Sequence, residues 1–293
     1  MTIIIDGRKI RDEILAKIKK QVACLSFQPV FCDVLVGEDP VSAQYVNMKA
    51  KMAESVGIKF HQANFSETIS TEKLIDEIKK INEIPNMCGI IVQLPLPKNF
   101  DKKTILDSVD PKLDADCLGS IASEKFYNGE INLGFPTALA CMAILDFLKL
   151  DLNPPAGGKK IVVLGQGELV GKPVSALLRF RGFFPVTITR KTEDKENLIK
   201  QADVIISGMG NGKYITGDII KKGAVLIDAG TSESLERSSM GELNAGIIGD
   251  VDLESVKGVA GFVSPVPGGV GPVTVAMLLQ NVLKVAQNIS KNK

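Results

Sequence analysis

The sequence predicts an α/β protein of two domains, in which strands and helices alternate along most of the chain. Three observations lead to this prediction. The chain has 293 residues, which suits one large or two medium domains. Short apolar runs alternate with amphipathic helical stripes, a rhythm typical of parallel βαβ units. A stretch rich in proline and glycine at 151–158 separates two series of such units.

Composition excludes several classes of function. Lysine and arginine number 35 and aspartate and glutamate 34, and this balance argues against an electrostatic nucleic-acid binder. No apolar run approaches the ~20 residues of a membrane span, so we expect no membrane partner. The chain has five cysteines without a Cys-x-x-Cys pair and a single histidine. We therefore expect a reduced, cytoplasmic protein with neither a disulfide framework nor a metal site.

The first series contains three predicted helices and two predicted strands. Apolar residues at helical spacing predict helices at about 8–22, 40–56 and 74–81. Short β-rich runs, each ended by glycine or proline, predict strands at 30–36 and 88–94. Strand, helix and strand in this order indicate a parallel sheet with helices packed on it.

The second series begins after the turn-rich stretch. Apolar β-rich runs predict strands at 160–164, 185–189, 204–207, 224–228, 246–251 and 259–263. Apolar spacing predicts helices at about 171–180, 198–202 and 272–289. The last helix is long enough to pack back against the first domain. We therefore predict a first domain of residues 1–138 plus 273–293 and a second domain of residues 139–272.

A glycine loop follows the first strand of the second domain. Gly165, Gln166 and Gly167 lie between a predicted strand and a predicted helix that begins at Gly171. In this context glycines let the backbone approach a pyrophosphate, which faces the free amides of the helix N-terminus. The alternative is a tight turn without a ligand. The loop favours a Rossmann-type dinucleotide-binding domain.

Two cations follow the next predicted strand. Arg190 and Lys191 stand where NAD-binding domains commonly carry an acidic residue for the ribose hydroxyls. Arginine and lysine instead match the charge of a ribose 2′-phosphate. An exposed basic turn is the alternative interpretation. The pair favours NADP as cofactor, with NAD possible.

Candidate catalytic residues lie in the first domain. Tyr45 and Lys49 are four residues apart on a predicted helix and share one face, although Lys49 also fits a solvated lysine. Gln93 ends an apolar strand and projects where open α/β sheets bind ligands. Asp114 and Asp116 occupy a loop in which carboxylates either bind polar ring nitrogens or form turns.

The most constrained loop of the sequence runs from Pro265 to Pro272. Prolines fix its entry, and its glycines let backbone amides approach a flat ligand before a helix begins. A plain connection between a strand and a helix seldom needs that much constraint.

These segments, in this order, resemble the methylenetetrahydrofolate dehydrogenase/cyclohydrolase family of folate one-carbon metabolism. The matching pieces are Leu35-Val36-Gly37 with Ser42 and Tyr45–Lys49, Val92–Pro97, Asp114-Ala115-Asp116, Val170–Pro173 and Pro265–Pro272. The resemblance implies oxidation of 5,10-methylenetetrahydrofolate by NADP and hydrolysis of the methenyl product to 10-formyltetrahydrofolate. It also implies a cleft between a catalytic folate-binding domain and the Rossmann-type domain, and a homodimer.

The resemblance also assigns roles to individual positions. Lys49 would be the general acid/base of hydrolysis, Tyr45 would stack on the pterin, Gln93 would hydrogen-bond Lys49, and Asp116 would bind the pterin. Further folate-binding positions would be Val92, Leu94, Pro267, Gly268, Gly269, Val270 and Gly271. Cofactor-binding positions would be Gly165, Gln166, Gly167, Arg190, Lys191, Gly210 and Thr231.

The chain departs from the family pattern at a few positions. Cys117 stands where the family usually has a glycine after the second aspartate, and Gln166 stands where many members have arginine. Only Phe135-Pro136-Thr137 remains of a Pro-Cys-Thr-Pro signature. Two alternatives stay open from the sequence: a relative with only one of the two activities, and a protein that binds folate or dinucleotide without catalysis.

Overall fold

The computed structural model describes residues 1–152, 158–237 and 243–291. The centre of the predicted linker, 153–157, lies outside the described residues. The chain divides into two compact units. The six-stranded unit comprises Met1–Arg11 and Thr137–Thr274, and the three-stranded unit comprises Asp12–Pro136 and Val275–Lys293.

Strands and helices alternate along the described chain. The strands are β1 (Ile3–Ile4), β2 (Val30–Val36), β3 (Lys59–Phe65), β4 (Met87–Val92), β5 (Ile161–Leu164), β6 (Val186–Ile188), β7 (Val204–Ser207), β8 (Val225–Asp228), β9 (Ser232–Arg237), β10 (Leu243–Ile248) and β11 (Phe262–Val263). The helices are α1 (Gly7–Val22), α2 (Pro40–Ser55), α3 (Thr71–Asn82), α4 (Lys102–Leu106), α5 (Ser120–Tyr127), α6 (Pro136–Leu148), α7 (Gly171–Phe180), α8 (Lys195–Lys200), α9 (Leu253–Val256) and α10 (Val270–Lys291). Both units have parallel sheets, so the α/β prediction is confirmed.

The sheet of the three-stranded unit has the order β3-β2-β4, with all pairs parallel. The central strand β2 is buried along its whole length because both of its faces are covered. Helix α2 then begins with Pro40 in its first turn, and its N-cap Asp39 accepts a hydrogen bond from the Ser42 amide at 2.7 Å. The edge strand β3 was not predicted, because its sequence mixes polar and apolar residues.

The closing helix α10 packs on strand β4. A Cβ atom at Gly89 would lie 2.7 Å from the Val282 side chain, so this glycine permits the close approach. Asn281, which is fully buried, donates hydrogen bonds to the carbonyls of Ala115 and Gly134 at 2.8 and 2.6 Å. The helix thereby supports the loop that contains Asp114 and Asp116.

The sheet of the six-stranded unit has the order β1-β11-β8-β7-β5-β6 and is parallel throughout. Residues 1–11 belong to this unit, whereas the sequence predicts them in the other domain. The reason is the pairing of Ile3 and Ile4 with Phe262 and Val263. The predicted strand at 246–251 is part of an antiparallel hairpin of β9 and β10. No helix in the described ranges is long and apolar enough to cross a bilayer.

Candidate active site

A buried polar cluster lies between helix α2 and the sheet of the three-stranded unit. The Lys49 Nζ atom lies 2.6 Å from Asp33 Oδ2 and donates a 2.6 Å hydrogen bond to Gln93 Oε1. Gln93 Nε2 in turn donates to the Leu94 carbonyl at 2.7 Å, which fixes the amide with its oxygen toward the lysine. The lysine is therefore held by a hydrogen bond to Gln93, which follows strand β4, and by an ion pair with Asp33 in the neighbouring strand β2.

Burial sets the electrostatics of this cluster. Asp33 is fully buried and Lys49 is 7% exposed. Burial raises the pKa of Asp33, and Lys49 opposes that rise without cancelling it. Among the residues that the structure describes, neither carboxyl oxygen of Asp33 has a hydrogen-bond donor, and Oδ2 forms the ion pair with Lys49. Lys49 is thus the group that compensates this buried carboxyl.

The two aspartates of the 114–116 loop have different surroundings. Asp114 is buried, and its carboxylate accepts hydrogen bonds from the amides of Gly119 at 2.7 Å and Asp116 at 3.2 Å. It therefore shapes the loop, as the turn-forming interpretation predicts. Asp116 is partly exposed, and desolvation raises its pKa to about 7, with Lys49 opposing and Asp114 and Asp33 adding to the rise. A carboxyl group with a pKa near 7 can both accept and donate protons at neutral pH.

Other predicted folate-binding positions differ in accessibility. Tyr45, one helical turn before Lys49, is 44% exposed and offers its ring for stacking. Leu94 is partly exposed. Val92 is 2% exposed with its side chain in the core, so a ligand can reach it only through the backbone.

Asp33 is the member of this cluster that the sequence analysis missed. The available signal was a carboxylate in the middle of the apolar run Val30–Val36. An ionisable residue in a buried strand requires a partner, and the partner here lies sixteen residues farther along the chain.

In the glycine loop of the six-stranded unit, two glycines are tightly packed and a third has open space beside it. A Cβ atom at Gly165 would lie 2.6 Å from the Gly208 carbonyl oxygen, and one at Gly171 would lie 2.0 Å from the Gly165 carbonyl oxygen. By contrast, a Cβ at Gly167 meets nothing within 4 Å. Helix α7 begins here without a side-chain cap, while its Lys172 amide donates to the Gly167 carbonyl at 3.2 Å and Pro173 has no amide hydrogen.

A basic turn follows strand β6. Arg190 and Lys191 are exposed, and no described carboxylate pairs with either of them. The Thr189 amide donates to Thr192 Oγ1 at 2.9 Å, which closes the turn. Lys195, which the sequence analysis did not single out, donates to the Arg190 carbonyl at 2.8 Å and adds a third cation.

Two buried carboxylates organise the loops after strands β7 and β8. Asp250 accepts hydrogen bonds from Ser207 Oγ at 2.6 Å and from the amides of Met209 and Asn211 at 2.8 and 2.7 Å. This arrangement holds the loop that contains Gly210.

Asp228 likewise holds the loop that follows strand β8. It accepts from the amides of Gly230 at 2.9 Å and Val251 at 2.8 Å, and burial raises its pKa to about 7. A Cβ at Gly210 would lie 3.7 Å from the Thr231 carbonyl oxygen, so these two predicted cofactor-binding positions are neighbours. Neither Asp250 nor Asp228 was predicted as a site residue from the sequence.

The proline- and glycine-rich loop Pro265–Pro272 also lets backbone segments approach each other closely. The Gly269 amide donates to the Pro265 carbonyl at 2.7 Å, and the Gly7 amide donates to the Gly268 carbonyl at 3.0 Å. Gly269 and Val270 are buried, whereas Pro267 and Gly271 are exposed and Gly268 is partly exposed. Within this predicted set, Gly269 and Val270 therefore serve packing and the other three can meet a ligand.

Comparisons with known proteins agree on one family. The family model for the tetrahydrofolate dehydrogenase/cyclohydrolase catalytic domain matches residues 5–116, and the model for the NAD(P)-binding domain of the same family matches residues 136–290. The curated bifunctional protein FolD of Nautilia profundicola is 39% identical over 292 residues, which cover 98% of each chain.

Two solved structures extend the similarity to the fold. The bifunctional FolD methylenetetrahydrofolate dehydrogenase/cyclohydrolase of Campylobacter jejuni has a TM-score of 0.88 at 32% identity and covers 99% of this chain and 100% of its own. The Trypanosoma brucei methylenetetrahydrofolate dehydrogenase-cyclohydrolase, complexed with NADP and an inhibitor, has a TM-score of 0.89 at 31% identity and covers 98% of both chains.

Proposed function

The chain belongs to the tetrahydrofolate dehydrogenase/cyclohydrolase family, and from this premise we propose that it oxidises 5,10-methylenetetrahydrofolate with NADP and hydrolyses the methenyl product to 10-formyltetrahydrofolate. The observation that carries the proposal is the buried Lys49, held at 2.6 Å by both Asp33 and Gln93. A lysine fixed in this way can deliver a proton to one defined atom of a substrate.

The hydrolytic step needs proton transfer and no metal. The methenyl carbon lies between two nitrogens in a cation that is already electrophilic, so water can add to it directly. Lys49 then moves protons as the bond to one nitrogen breaks. Asp116 accepts hydrogen bonds from the pterin, and the exposed ring of Tyr45 stacks on it.

The glycine loop and the basic turn have the properties of an NADP site. The exposed Gly167, which leaves room for close backbone approach, suits a pyrophosphate, and the cations at Arg190 and Lys191 suit a 2′-phosphate. Gly210 and Thr231 are the proposed contacts of the nicotinamide half. When bound, NADP supplies the hydride acceptor, and the protein contributes alignment.

A lysine substitution tests the hydrolytic half of the proposal. We expect Lys49→Met to lower the rate of methenyltetrahydrofolate hydrolysis by a factor of about 10² or more, because the proton donor is removed. NADP affinity stays unchanged. The exposed neighbour Lys51 provides the matched control, Lys51→Met, which keeps the wild-type rate. Undiminished hydrolysis by Lys49→Met would exclude this lysine from the mechanism.

An arginine substitution tests the choice of cofactor. We expect Arg190→Ala to raise the KM for NADP roughly tenfold and to leave the KM for NAD nearly unchanged, because only NADP carries the 2′-phosphate. Steady-state kinetics with both nucleotides measure this difference. Equal changes for the two nucleotides would refute the phosphate assignment.

We also propose that the chain forms a homodimer through the six-stranded unit. In support, the edge strand β6 and its surroundings expose Phe180, Phe184 and Val186, which are 53%, 86% and 42% accessible. Large exposed apolar groups beside an unpaired strand edge favour association. Sedimentation velocity tests the proposal: we expect a dimer for the wild type and a monomer for Phe184→Asp. A monomeric wild type would refute it.

A further inference from the structure

The proposed mechanism uses Asp33 to hold Lys49 but does not say how this buried carboxyl affects proton transfer. It lies in the middle of strand β2 with no exposure to solvent. Placing an ionised carboxyl there costs several kcal/mol unless a cation compensates it. Since Asp33 cannot touch a substrate, any contribution to catalysis must act through Lys49.

The surroundings of Lys49 indicate what that contribution is. Its Nζ atom donates a hydrogen bond to Gln93 Oε1 and forms an ion pair with Asp33 Oδ2, both at 2.6 Å. A carboxylate favours the ammonium form, which has three N–H groups. Gln93 accepts from one of these, so the ammonium keeps an N–H for a substrate.

Among the other groups around Lys49, the acidic Asp116 favours the ammonium form as Asp33 does. Asp116 interacts electrostatically with Lys49 from its loop, and Tyr45 lies one turn earlier on α2. Gln93 is neutral. Asp116 is partly exposed and can contact the substrate, whereas Asp33 is fully buried in the sheet.

We infer that Asp33 is a positioning residue for the hydrolytic step, which holds Lys49 as an ammonium with one N–H free for the substrate nitrogen. The inference rests on the proposed function. Water adds to the methenyl carbon and releases one proton to solvent. Lys49 then protonates the departing nitrogen as its bond to carbon breaks. The remaining hydroxyl proton returns to the Lys49 amine as the formyl carbonyl forms, so protons and charges balance.

The variant Asp33→Asn keeps the shape and removes the charge. Without the carboxylate, the ammonium loses its proton at lower pH, so the basic limb of the hydrolysis pH profile moves down by about one to three units. One pH unit above the shifted midpoint, kcat falls about five- to tenfold relative to the wild type at the same pH, while the KM for the methenyl substrate stays within twofold because Asp33 does not contact it. The control Asp146→Asn, which removes an exposed carboxylate paired with Arg181, leaves the profile unchanged.

An unchanged basic limb in Asp33→Asn, or a change confined to KM, overturns the inference. A second measurement uses the wild-type protein and does not depend on the variant folding. Acetylation of Lys49 and Lys51 by acetic anhydride is followed across pH by mass spectrometry. We expect the pH midpoint for Lys49 at or above that of the exposed Lys51. A lower midpoint would overturn the inference, whereas a wild type without methenyl hydrolysis would refute the proposed function instead.

Discussion

Replacing Lys49 by methionine removes the cation that compensates Asp33 and leaves a fully buried carboxyl in strand β2. Removing one partner of a buried ion pair typically costs about 3–5 kcal/mol. The cost at Asp33 depends on pH, because the carboxyl can take up a proton instead of remaining charged. Burial already raises its pKa, and Lys49 is the group that opposes the rise. In Lys49→Met the pKa of Asp33 therefore rises further.

The sign of the pH dependence follows from this raised pKa. Below about pH 4, Asp33 is protonated in both the folded and the unfolded chain, so its ionisation does not affect stability. As pH rises, the unfolded chain ionises before the folded chain. The variant then loses up to about 1.4 kcal/mol per pH unit until the folded carboxyl also ionises.

The double variant Lys49→Met/Asp33→Asn isolates the effect of Asp33 ionisation on stability, since it differs from the single variant only in the titrating group. Urea unfolding, read by hydrogen exchange of peptides that cover β2, measures the stability of the three-stranded unit separately from the rest. The single variant should lose stability relative to the double variant as pH rises from 4 to 7. A constant difference across this range would contradict the assignment of Asp33 as a buried carboxyl compensated by Lys49.

The remaining predictions concern backbone positions and the second carboxyl group. Gly171→Ala should lower the unfolding free energy by at least about 2 kcal/mol, because its Cβ would lie 2.0 Å from a carbonyl oxygen. Gly167→Ala, whose Cβ meets nothing, should unfold like the wild type and weaken NADP binding only; equal denaturation midpoints for the two variants would contradict this. Asp116 has a pKa of about 7, so the KM for methylenetetrahydrofolate should rise as pH falls below 7, and Asp116→Asn should flatten that dependence. Cys117 has a φ of 57°, a conformation that costs a residue other than glycine about 1 kcal/mol. The unfolding free energy of Cys117→Gly, measured in urea, should therefore stay within about 1 kcal/mol of the wild-type value. A loss of several kcal/mol would show that packing of the buried thiol contributes more to stability than the backbone strain costs.

Local patterns predicted the fold class because the periodicity of apolar residues is a local property. Helix α2 and strand β4 follow directly from their spacing and their glycine and proline boundaries. Strand β3 was missed because an edge strand needs no apolar pattern of its own. The placement of β1 was also missed, since its pairing with β11 joins residues more than 250 positions apart.

The candidate site was predicted in part for the same reason. Tyr45 and Lys49 share a helix face, and their spacing is visible in the sequence. Asp33 lies on a different element, so only its position in an apolar strand could have drawn notice. The departure at Cys117 became interpretable only once its positive φ was known, because this conformation favours the glycine that the family usually has there.

The most direct test of the account is turnover by the purified protein. Methylenetetrahydrofolate is mixed with NADP, and in a parallel reaction with NAD, while reduced cofactor and methenyl absorbance are recorded together. We predict that NADP reacts faster and that NADPH forms without a matching build-up of the methenyl compound, because the same chain hydrolyses it. Absence of turnover with both nucleotides would contradict the dehydrogenase assignment, and accumulation of the methenyl product in step with NADPH would contradict the hydrolytic one.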